Sequence, residues 1–197
     1  MKTMNVSLVG VGGQGIILTA DILASAAALA GYDVKKSEIH GMAQRGGSVT
    51  SQVRFGDDVA SPIIQEGTAD ILVSFDKVEA LRNSGIAARG AKVIVNDLYL
   101  VPVTVSSGQQ ATPENLDEEV KKAFGKNLVL IDAMKIAEEE AGNARTMNMV
   151  IAGALSKFCP IEEEIWIKAM EQLLSGPKAK LLEINKKAFA LGRAAVG

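Results

Sequence analysis

The chain has 197 residues, of which 48% are hydrophobic and 22% charged, a balance typical of one globular domain with a sizeable core. Its net charge of −2 and aromatic content of 4% give no reason to expect nucleic acid or an anionic membrane as a partner. Cys159 is the single cysteine, which excludes an internal disulfide and a cysteine-held zinc or iron–sulfur centre, so no metal site is expected.

The first predicted elements surround a glycine-rich turn. Residues 5–9 form a short β-rich run that predicts a buried strand. A glycine cluster follows at residues 10–15, and residues 16–30 then predict a helix that is apolar on most faces, with Asp21 as its one charge. Gly31 is typical of a residue that ends a helix.

A second strand, a loop and a third strand follow without a helix between them. Residues 33–39 predict the second strand and residues 48–55 the third, and three glycines make residues 40–47 a loop. A nucleotide-binding half-domain would need a crossover helix at this point, so the usual βαβαβ unit is expected to be interrupted.

The rest of the chain alternates strands with helices and then becomes helical. Strands are predicted at residues 69–75, 91–96 and 127–131, with an edge segment at 101–105. Helices are predicted at residues 77–83, from a Thr112 cap and Pro113 to about Phe124, after an Asp132 cap, and over much of 145–194. One helical face carries Ile161, Ile165, Trp166, Ala169, Met170, Leu173 and Leu174.

This order predicts a single α/β domain over residues 1–197. We expect a mostly parallel, Rossmann-like sheet with helices on both faces and a helical C-terminal region.

The glycine turn is the first candidate binding site. Gly10, Gly12 and Gly15 satisfy G-x-G-x-x-G between a strand and a helix, where backbone N–H groups and the helix start favour phosphate. Glu38 lies near the end of the second strand, where a Rossmann enzyme could bind a ribose. Two alternatives are that the glycines only permit a tight turn, and that a nicotinamide cofactor binds, which the interrupted βαβαβ unit disfavours.

The loop at residues 40–47 is the second candidate. A lone His40 usually makes local hydrogen bonds, and an Arg45 in a loop is usually solvated. Here they lie with Gln44 on a glycine-rich segment that should emerge beside the first turn, in the crevice where open α/β sheets bind ligands. The Arg45 guanidinium offers a planar fork for phosphate or carboxylate, and nearby Lys35 and Lys36 could add positive potential.

Taken together, the two loops resemble those of the γ-type domain of 2-oxoacid:ferredoxin oxidoreductases. The resemblance extends over essentially the whole chain. The His-Gly-Met-Ala-Gln-Arg-Gly-Gly form is most like the β subunit of the indolepyruvate enzymes. The resemblance rests on residues 10–15, 37–49, 53–56, 131–133 and 145–149.

The resemblance implies a shared role in oxidative decarboxylation of a 2-oxoacid to acyl-coenzyme A, with electrons passed to ferredoxin. It implies that thiamine diphosphate and iron–sulfur clusters belong to a larger partner subunit, that ferredoxin is reached through it, and that this chain carries no catalytic residue. Coenzyme A would be a shared substrate, its phosphates held by Gly12, Gly13, Gln14, Gly15 and Ile16. The active-site interface with the partner would include His40, Met42, Gln44, Arg45, Gly46, Gly47, Arg145 and Asn148.

The sequence departs from the family pattern at one place, and it leaves two other function classes as alternatives. A lysine that related pyruvate enzymes use near the second loop has no counterpart here, where Met42 and Ala43 stand. The alternatives are a free-standing NAD(P)-binding Rossmann enzyme and a nucleotide-binding regulatory module. The first is disfavoured because His40 is the single histidine and no hydride-transfer acid or base follows the glycine turn. No signal peptide or apolar span is recognised, so a cytoplasmic location is expected.

Overall fold

A six-stranded sheet forms the centre of the molecule. The computed structural model describes residues 2–40, 47–101 and 115–196. The strands lie in the order β2-β3-β1-β4-β5-β6. Their bounds are Met4–Val11 (β1), Asp33–His40 (β2), Ser48–Gly56 (β3), Ala69–Ser74 (β4), Ala87–Asn96 (β5) and Leu128–Ile131 (β6).

The strand directions divide the sheet into two parts. β1, β4, β5 and β6 are parallel neighbours, whereas β3 pairs antiparallel with both β1 and β2. Val11 opposes Ser48, and His40 opposes Val49. The segment between β2 and β3 therefore begins and ends at the edge of the sheet where β1 ends. This antiparallel pair confirms that no crossover helix follows β2.

Helices cover both faces of the sheet, as predicted. Their bounds are Ile16–Leu29 (α1), Lys77–Arg82 (α2), Leu116–Phe124 (α3), Ala133–Lys135 (α4), Met147–Ser156 (α5), Glu163–Leu173 (α6) and Leu182–Ala194 (α7). A π-helical segment, Ile136–Ala141, continues α4, and short 3₁₀ segments occur at Ser84–Ile86, Gly125–Asn127, Ala144–Thr146 and Gly176–Leu181.

Alternation along the parallel strands produces two hydrophobic cores. Leu8, Val73 and Ile94 face one side, where they pack with α1, α5, α6 and α7. Val9 and Leu72, one position away, face the other side and pack with α2 and α3. Because strand side chains point alternately to opposite faces, apolar runs of this kind are required where both faces are covered.

The C-terminal helices are the largest part of the first core. Every residue of α5 is buried, and all but Asn148 and Ser156 are apolar, so the helix is covered on all faces rather than amphipathic. Trp166, Ala169 and Met170 of α6 are fully buried, and Ile165 and Leu173 are partly buried, which confirms the core of the helical face predicted from the sequence. Ile161 and Leu174 are buried too, but they lie just outside the two ends of α6.

Several predicted boundaries shift. α3 begins at Leu116 rather than Pro113, because Asn115 has a non-helical backbone. β5 begins at Ala87 rather than at residue 91, since Ala69 pairs with Ala87 through a register shift that hydrophobicity does not reveal. The Asp132 cap is confirmed by its side chain, which accepts the Lys135 N–H at 3.0 Å. Thr112, Pro113 and residues 102–105 of the predicted edge segment lie outside the described residues.

Candidate functional site

The turn between β1 and α1 places an open glycine in front of a helix start. Gly13 has φ 106° and is exposed, with no atom within 4 Å of where a Cβ would stand. Gly15, with φ 88°, is the N-cap of α1, and Ile16 is the first, buried residue of the helix. Since Gly15 has no side chain to accept the first N–H groups of α1, these donors are left for another partner.

The Gln14 side chain shapes this turn from within. Its Oε1 accepts the Val11 N–H at 2.6 Å, and its Nε2 donates to the Phe75 carbonyl at 3.2 Å. A Cβ on Gly10 would lie 2.6 Å from Gln14 Oε1 and 2.8 Å from Phe75 Cβ. Glycine is therefore required at position 10 so that the amide can join the ends of β1 and β4.

The end of the second loop lies against the first. The Gly12 N–H donates to the Gly47 carbonyl at 2.9 Å. Ser48, the next residue, donates its hydroxyl to Oε2 of buried Glu79 at 2.6 Å. The structure thus brings the predicted interface residue Gly47 to the glycine turn, and it shows that the Gly12 N–H is used within the chain.

Only the two ends of the second loop belong to the described residues. His40 ends β2 opposite Val49. Met42, Gln44, Arg45 and Gly46 lie outside the described residues, so their assignment to an interface stays a prediction.

Two predicted interface residues lie at the start of α5 or just before it. Asn148 is 6% exposed, and a Cβ on Gly15 would lie 2.8 Å from both Cβ and Nδ2 of Asn148. The Thr19 hydroxyl reaches the Asn148 carbonyl at 3.3 Å and the Gly15 carbonyl at 3.2 Å. Arg145 lies one turn earlier and is exposed, in the 3₁₀ segment that precedes α5. Gly15 and Asn148 are therefore neighbours although they are far apart in sequence.

Asn96, which the sequence analysis did not single out, holds the same edge together. Its Nδ2 lies 3.2 Å from the Phe75 carbonyl and 3.3 Å from Met147 Sδ. Its Oδ1 accepts the Ala133 N–H at 2.9 Å. The sequence could have pointed to Asn96 through its position, because it is a polar residue at the end of an apolar strand. Such residues lie at the carboxyl edge, where open α/β sheets bind ligands.

A second missed residue, Asp76, is a buried carboxyl group at this edge. It is 1% exposed, and its Oδ1 caps α2 by accepting the Glu79 N–H at 2.9 Å. Among the residues that the structure describes, Oδ2 has no hydrogen-bond partner. Burial raises the Asp76 pKa to about 6, against the opposing effect of the Glu79 N–H bond, and the negative charge of Glu79 raises it further.

Other residues considered from the sequence serve the fold. Glu38 accepts a hydrogen bond from Lys36 Nζ at 2.6 Å, and Lys36 also pairs with Asp21. Lys35 Nζ pairs with Asp33 at 2.5 Å. Cys159 is buried, and burial raises the pKa of its thiol to about 12. The thiol is thus protonated at neutral pH, as expected of a packing residue rather than a nucleophile.

Over 2–40, 47–101 and 115–196, no helix has the length and apolar character needed to cross a bilayer.

Known proteins match this chain over nearly its whole length. The family model for pyruvate ferredoxin/flavodoxin oxidoreductase matches residues 5–195. Indolepyruvate oxidoreductase subunit IorB of Thermococcus kodakarensis is 44% identical over 197 residues, covering 98% of this chain and 95% of the relative.

Two solved structures share the fold. The γ subunit of a keto/oxoacid ferredoxin oxidoreductase from Geobacter sulfurreducens aligns with a TM-score of 0.71 at 23% identity, covering 98% of this chain and 97% of that one. A 2-oxoglutarate:ferredoxin oxidoreductase from Magnetococcus marinus, determined with 2-oxoglutarate, coenzyme A and succinyl-CoA bound, aligns with a TM-score of 0.72 at 23% identity. That alignment covers 99% of this chain and 31% of the longer one.

Proposed function

The chain belongs to the pyruvate ferredoxin/flavodoxin oxidoreductase family, and we propose that it is the γ-type subunit of a 2-oxoacid:ferredoxin oxidoreductase of the indolepyruvate type. The assembled enzyme oxidatively decarboxylates an arylpyruvate, forms the acyl-coenzyme A product and passes electrons to ferredoxin. The observation that carries this proposal is the 44% identity, over almost the full length of both chains, to an indolepyruvate oxidoreductase subunit.

This chain contributes the site for the phosphates of coenzyme A. Gly13 is exposed with open space before it, and α1 begins at Ile16 without a side-chain cap. A helix start of this kind favours anions through unpaired N–H groups and the helix dipole. The Gly12 N–H already donates to Gly47, and the Gln14 amide holds the turn. The phosphates are therefore met mainly by the backbone from Gly13 to the first turn of α1.

Thiamine diphosphate and the iron–sulfur clusters belong to a larger partner subunit. Cys159 is the single cysteine of the sequence, and it is buried with a thiol that resists ionisation. Cluster ligands are thiolates, so this cysteine content supports the placement of the electron-transfer centres on another chain.

The cytoplasmic location expected from the sequence stays a prediction, which fractionation of the source cells would test.

The surface that meets this partner is the carboxyl edge of the sheet. Gly47 and Asn148 lie at the glycine turn, and Arg145 is exposed one turn before Asn148. We assign His40, Met42, Gln44, Arg45 and Gly46 to the same interface from the family resemblance.

A glycine substitution tests the coenzyme A site. Gly13→Ala places a methyl group in the open space before the turn and should raise the KM for coenzyme A of the assembled enzyme roughly tenfold, the effect of losing a hydrogen bond to a charged group. The measurement is a coenzyme A titration at saturating oxoacid.

The matched control is Gly31→Ala. Gly31 has φ 88°, follows the opposite end of α1, and has no atom within 4 Å of the place that a Cβ would take. Both substitutions carry the cost of a positive φ, but the control should leave the KM for coenzyme A unchanged. Equal KM values for Gly13→Ala and the wild-type enzyme would contradict the placement of the site.

The alternative of a free-standing NAD(P)-binding Rossmann enzyme is not favoured. The antiparallel β2–β3 pair replaces the crossover helix of a dinucleotide-binding half, and Glu38 is paired with Lys36. Titration with NADH checks this directly, since saturable binding by the purified chain would support the alternative.

A further inference from the structure

Glu79 is a buried carboxylate whose hydrogen bonds lead out of its own helix. It is 1% exposed and is the third residue of α2. In a capping box the glutamate at this position bonds back to the N–H of the N-cap residue. Here Oε1 accepts from the Arg82 guanidinium at 2.8 Å, and Oε2 accepts from the Ser48 hydroxyl at 2.6 Å. Because a buried carboxylate is costly unless its oxygens are bonded, the Ser48 hydroxyl is a partner that Glu79 needs.

Ser48 joins this carboxylate to the glycine turn. It is the first residue of β3 and lies opposite Val11, the last residue of β1. The residue before it, Gly47, accepts the Gly12 N–H at 2.9 Å. Since the Gly47 carbonyl belongs to the planar peptide that ends at the Ser48 Cα, a bond that holds Ser48 also limits the movement of this carbonyl. The position of Gly12 therefore depends on a side chain of α2.

The residue on the other side of Gly13 is tied to the same helix start. Gln14 Nε2 donates to the Phe75 carbonyl at 3.2 Å, and Phe75 directly precedes Asp76, the N-cap residue of α2. Gly12 and Gln14 are thus both anchored at the start of α2. Gly13 has φ 106° and no atom within 4 Å of its Cβ position, so its placement follows from these two neighbours.

We propose that Glu79 is a positioning residue of the glycine turn, which it fixes through the Ser48 hydroxyl. Its carboxylate bonds within the chain and holds the contact between Gly47 and Gly12, so that Gly13 faces coenzyme A in one form. A turn that is ordered beforehand binds more tightly, because no free energy is spent on ordering it. The effect on coenzyme A rests on the proposed function, whereas the effect on the turn is measurable without a ligand.

Amide hydrogen exchange in the free chain tests the positioning itself. Ser48→Ala should speed exchange of the Gly12 amide roughly tenfold, the effect of losing one hydrogen bond to a charged group. Ser48→Thr keeps a hydroxyl and should exchange at nearly the wild-type rate. The Phe75 amide, which donates to the Val9 carbonyl at 2.9 Å, should keep its wild-type rate in both variants. Equal Gly12 rates in Ser48→Ala and the wild-type chain would overturn the proposal.

A double-mutant cycle shows whether Glu79 acts through Ser48. The measured quantity is the Kd of coenzyme A for the assembled enzyme, by calorimetry. Glu79→Met and Ser48→Ala should each weaken binding roughly fivefold, and the double variant should be no weaker than either one. Glu79→Gln keeps an oxygen that accepts the hydroxyl and should restore nearly wild-type affinity. Additive effects of the two substitutions would overturn the action through Ser48.

The two Ser48 variants decide the question even if Glu79→Met does not fold, because Ser48 is exposed. Thr68→Ala is the matched control for loss of a hydroxyl. Thr68 Oγ1 donates to the Gln65 carbonyl at 2.7 Å, and the Thr68 carbonyl accepts from Asn5 Nδ2 near the start of β1. Since the glycine turn follows the end of β1, Thr68 lies at the opposite edge of the sheet. Thr68→Ala should change neither the Gly12 exchange rate nor the Kd, and an effect equal to that of Ser48→Ala would overturn the local role.

The outcomes separate this inference from the proposed function. Weakened binding in Gly13→Ala, together with wild-type exchange and affinity in Ser48→Ala, would overturn the role of Glu79 alone. Wild-type affinity in Gly13→Ala, or no coenzyme A binding by the wild-type complex, would overturn the coenzyme A site. The exchange rates of the free chain would then still decide whether Glu79 positions the turn.

Discussion

Asp76 combines a structural task with an electrostatic cost. Its Oδ1 caps α2, while Oδ2 is buried without a partner among the described residues. Desolvation raises the pKa of the carboxyl group to about 6 in the folded chain, from an ordinary value of 3.8. Between these two pH values the folded state holds a proton that the unfolded state has lost, so stability falls as the pH rises.

Substitution by asparagine should remove this pH dependence. Asp76→Asn keeps an oxygen that can cap α2 but carries no charge. The difference between about 6 and 3.8 corresponds to about 3 kcal/mol, so the variant should gain that much relative to the wild-type chain between pH 4 and pH 7. Urea unfolding at both pH values measures the gain. A constant difference between the two proteins would contradict the raised pKa.

The close approach of α5 and α7 depends on two glycines. A Cβ on Gly153 would lie 2.0 Å from the Phe189 carbonyl oxygen, and a Cβ on Gly192 would lie 1.9 Å from that of Val150. Each helix thus presents a glycine to the backbone of the other. α5, buried on all sides, can take its place because α7 approaches without a side chain between them.

Alanine at this crossing should be strongly destabilising. Gly153→Ala forces the two backbones apart, and overpacking of this kind costs about 3 kcal/mol or more. Gly85→Ala is the control, because no atom lies within 4 Å of its Cβ position and its φ is not positive. We expect urea unfolding to show a change within about 0.5 kcal/mol for Gly85→Ala. Similar values for the two variants would contradict the tight crossing.

The whole molecule is expected to be inactive without its partner. Purified alone, the chain should show no oxoacid-dependent reduction of ferredoxin or of a dye, because it has no thiolates to hold a cluster. Co-expression with a larger subunit that carries thiamine and cluster motifs should restore turnover, with arylpyruvates as the preferred substrates. Turnover by the isolated chain would refute the division of labour between the subunits.

Arg45 tests the interface without reference to its position in the free chain. Arg45→Ala should leave the melting temperature of the isolated chain unchanged and lower assembly or turnover after reconstitution, because a charge-assisted contact is lost.

Arg54→Ala is the matched control. Its guanidinium donates to Asn5 Oδ1 at 2.8 Å and to the Ser61 carbonyl at 2.7 Å, within the chain. Arg54→Ala should therefore lower the melting temperature of the isolated chain. If Arg45→Ala also destabilised the isolated chain strongly, Arg45 would serve the fold and not the interface.

The sequence by itself determined the elements and the glycine turn. Apolar runs identified β1, β4 and β6, and the charge-poor stretch after Gly15 identified α1, because hydrophobic periodicity is a local property of the chain. The Asp132 cap was predictable for the same reason, since cap and helix are adjacent. The interrupted βαβαβ unit was likewise visible, because a loop stands where a crossover helix would have to be.

The tertiary structure alone decided which residues meet at the site. Asn148 contacts Gly15, and Gly47 accepts the Gly12 N–H, because helices and strands distant in sequence pack at one edge of the sheet. The Gln14 amide bonds Val11 and Phe75, a structural use that depends on β4 lying beside β1. Such contacts follow from packing and strand order, which no local pattern of residues specifies.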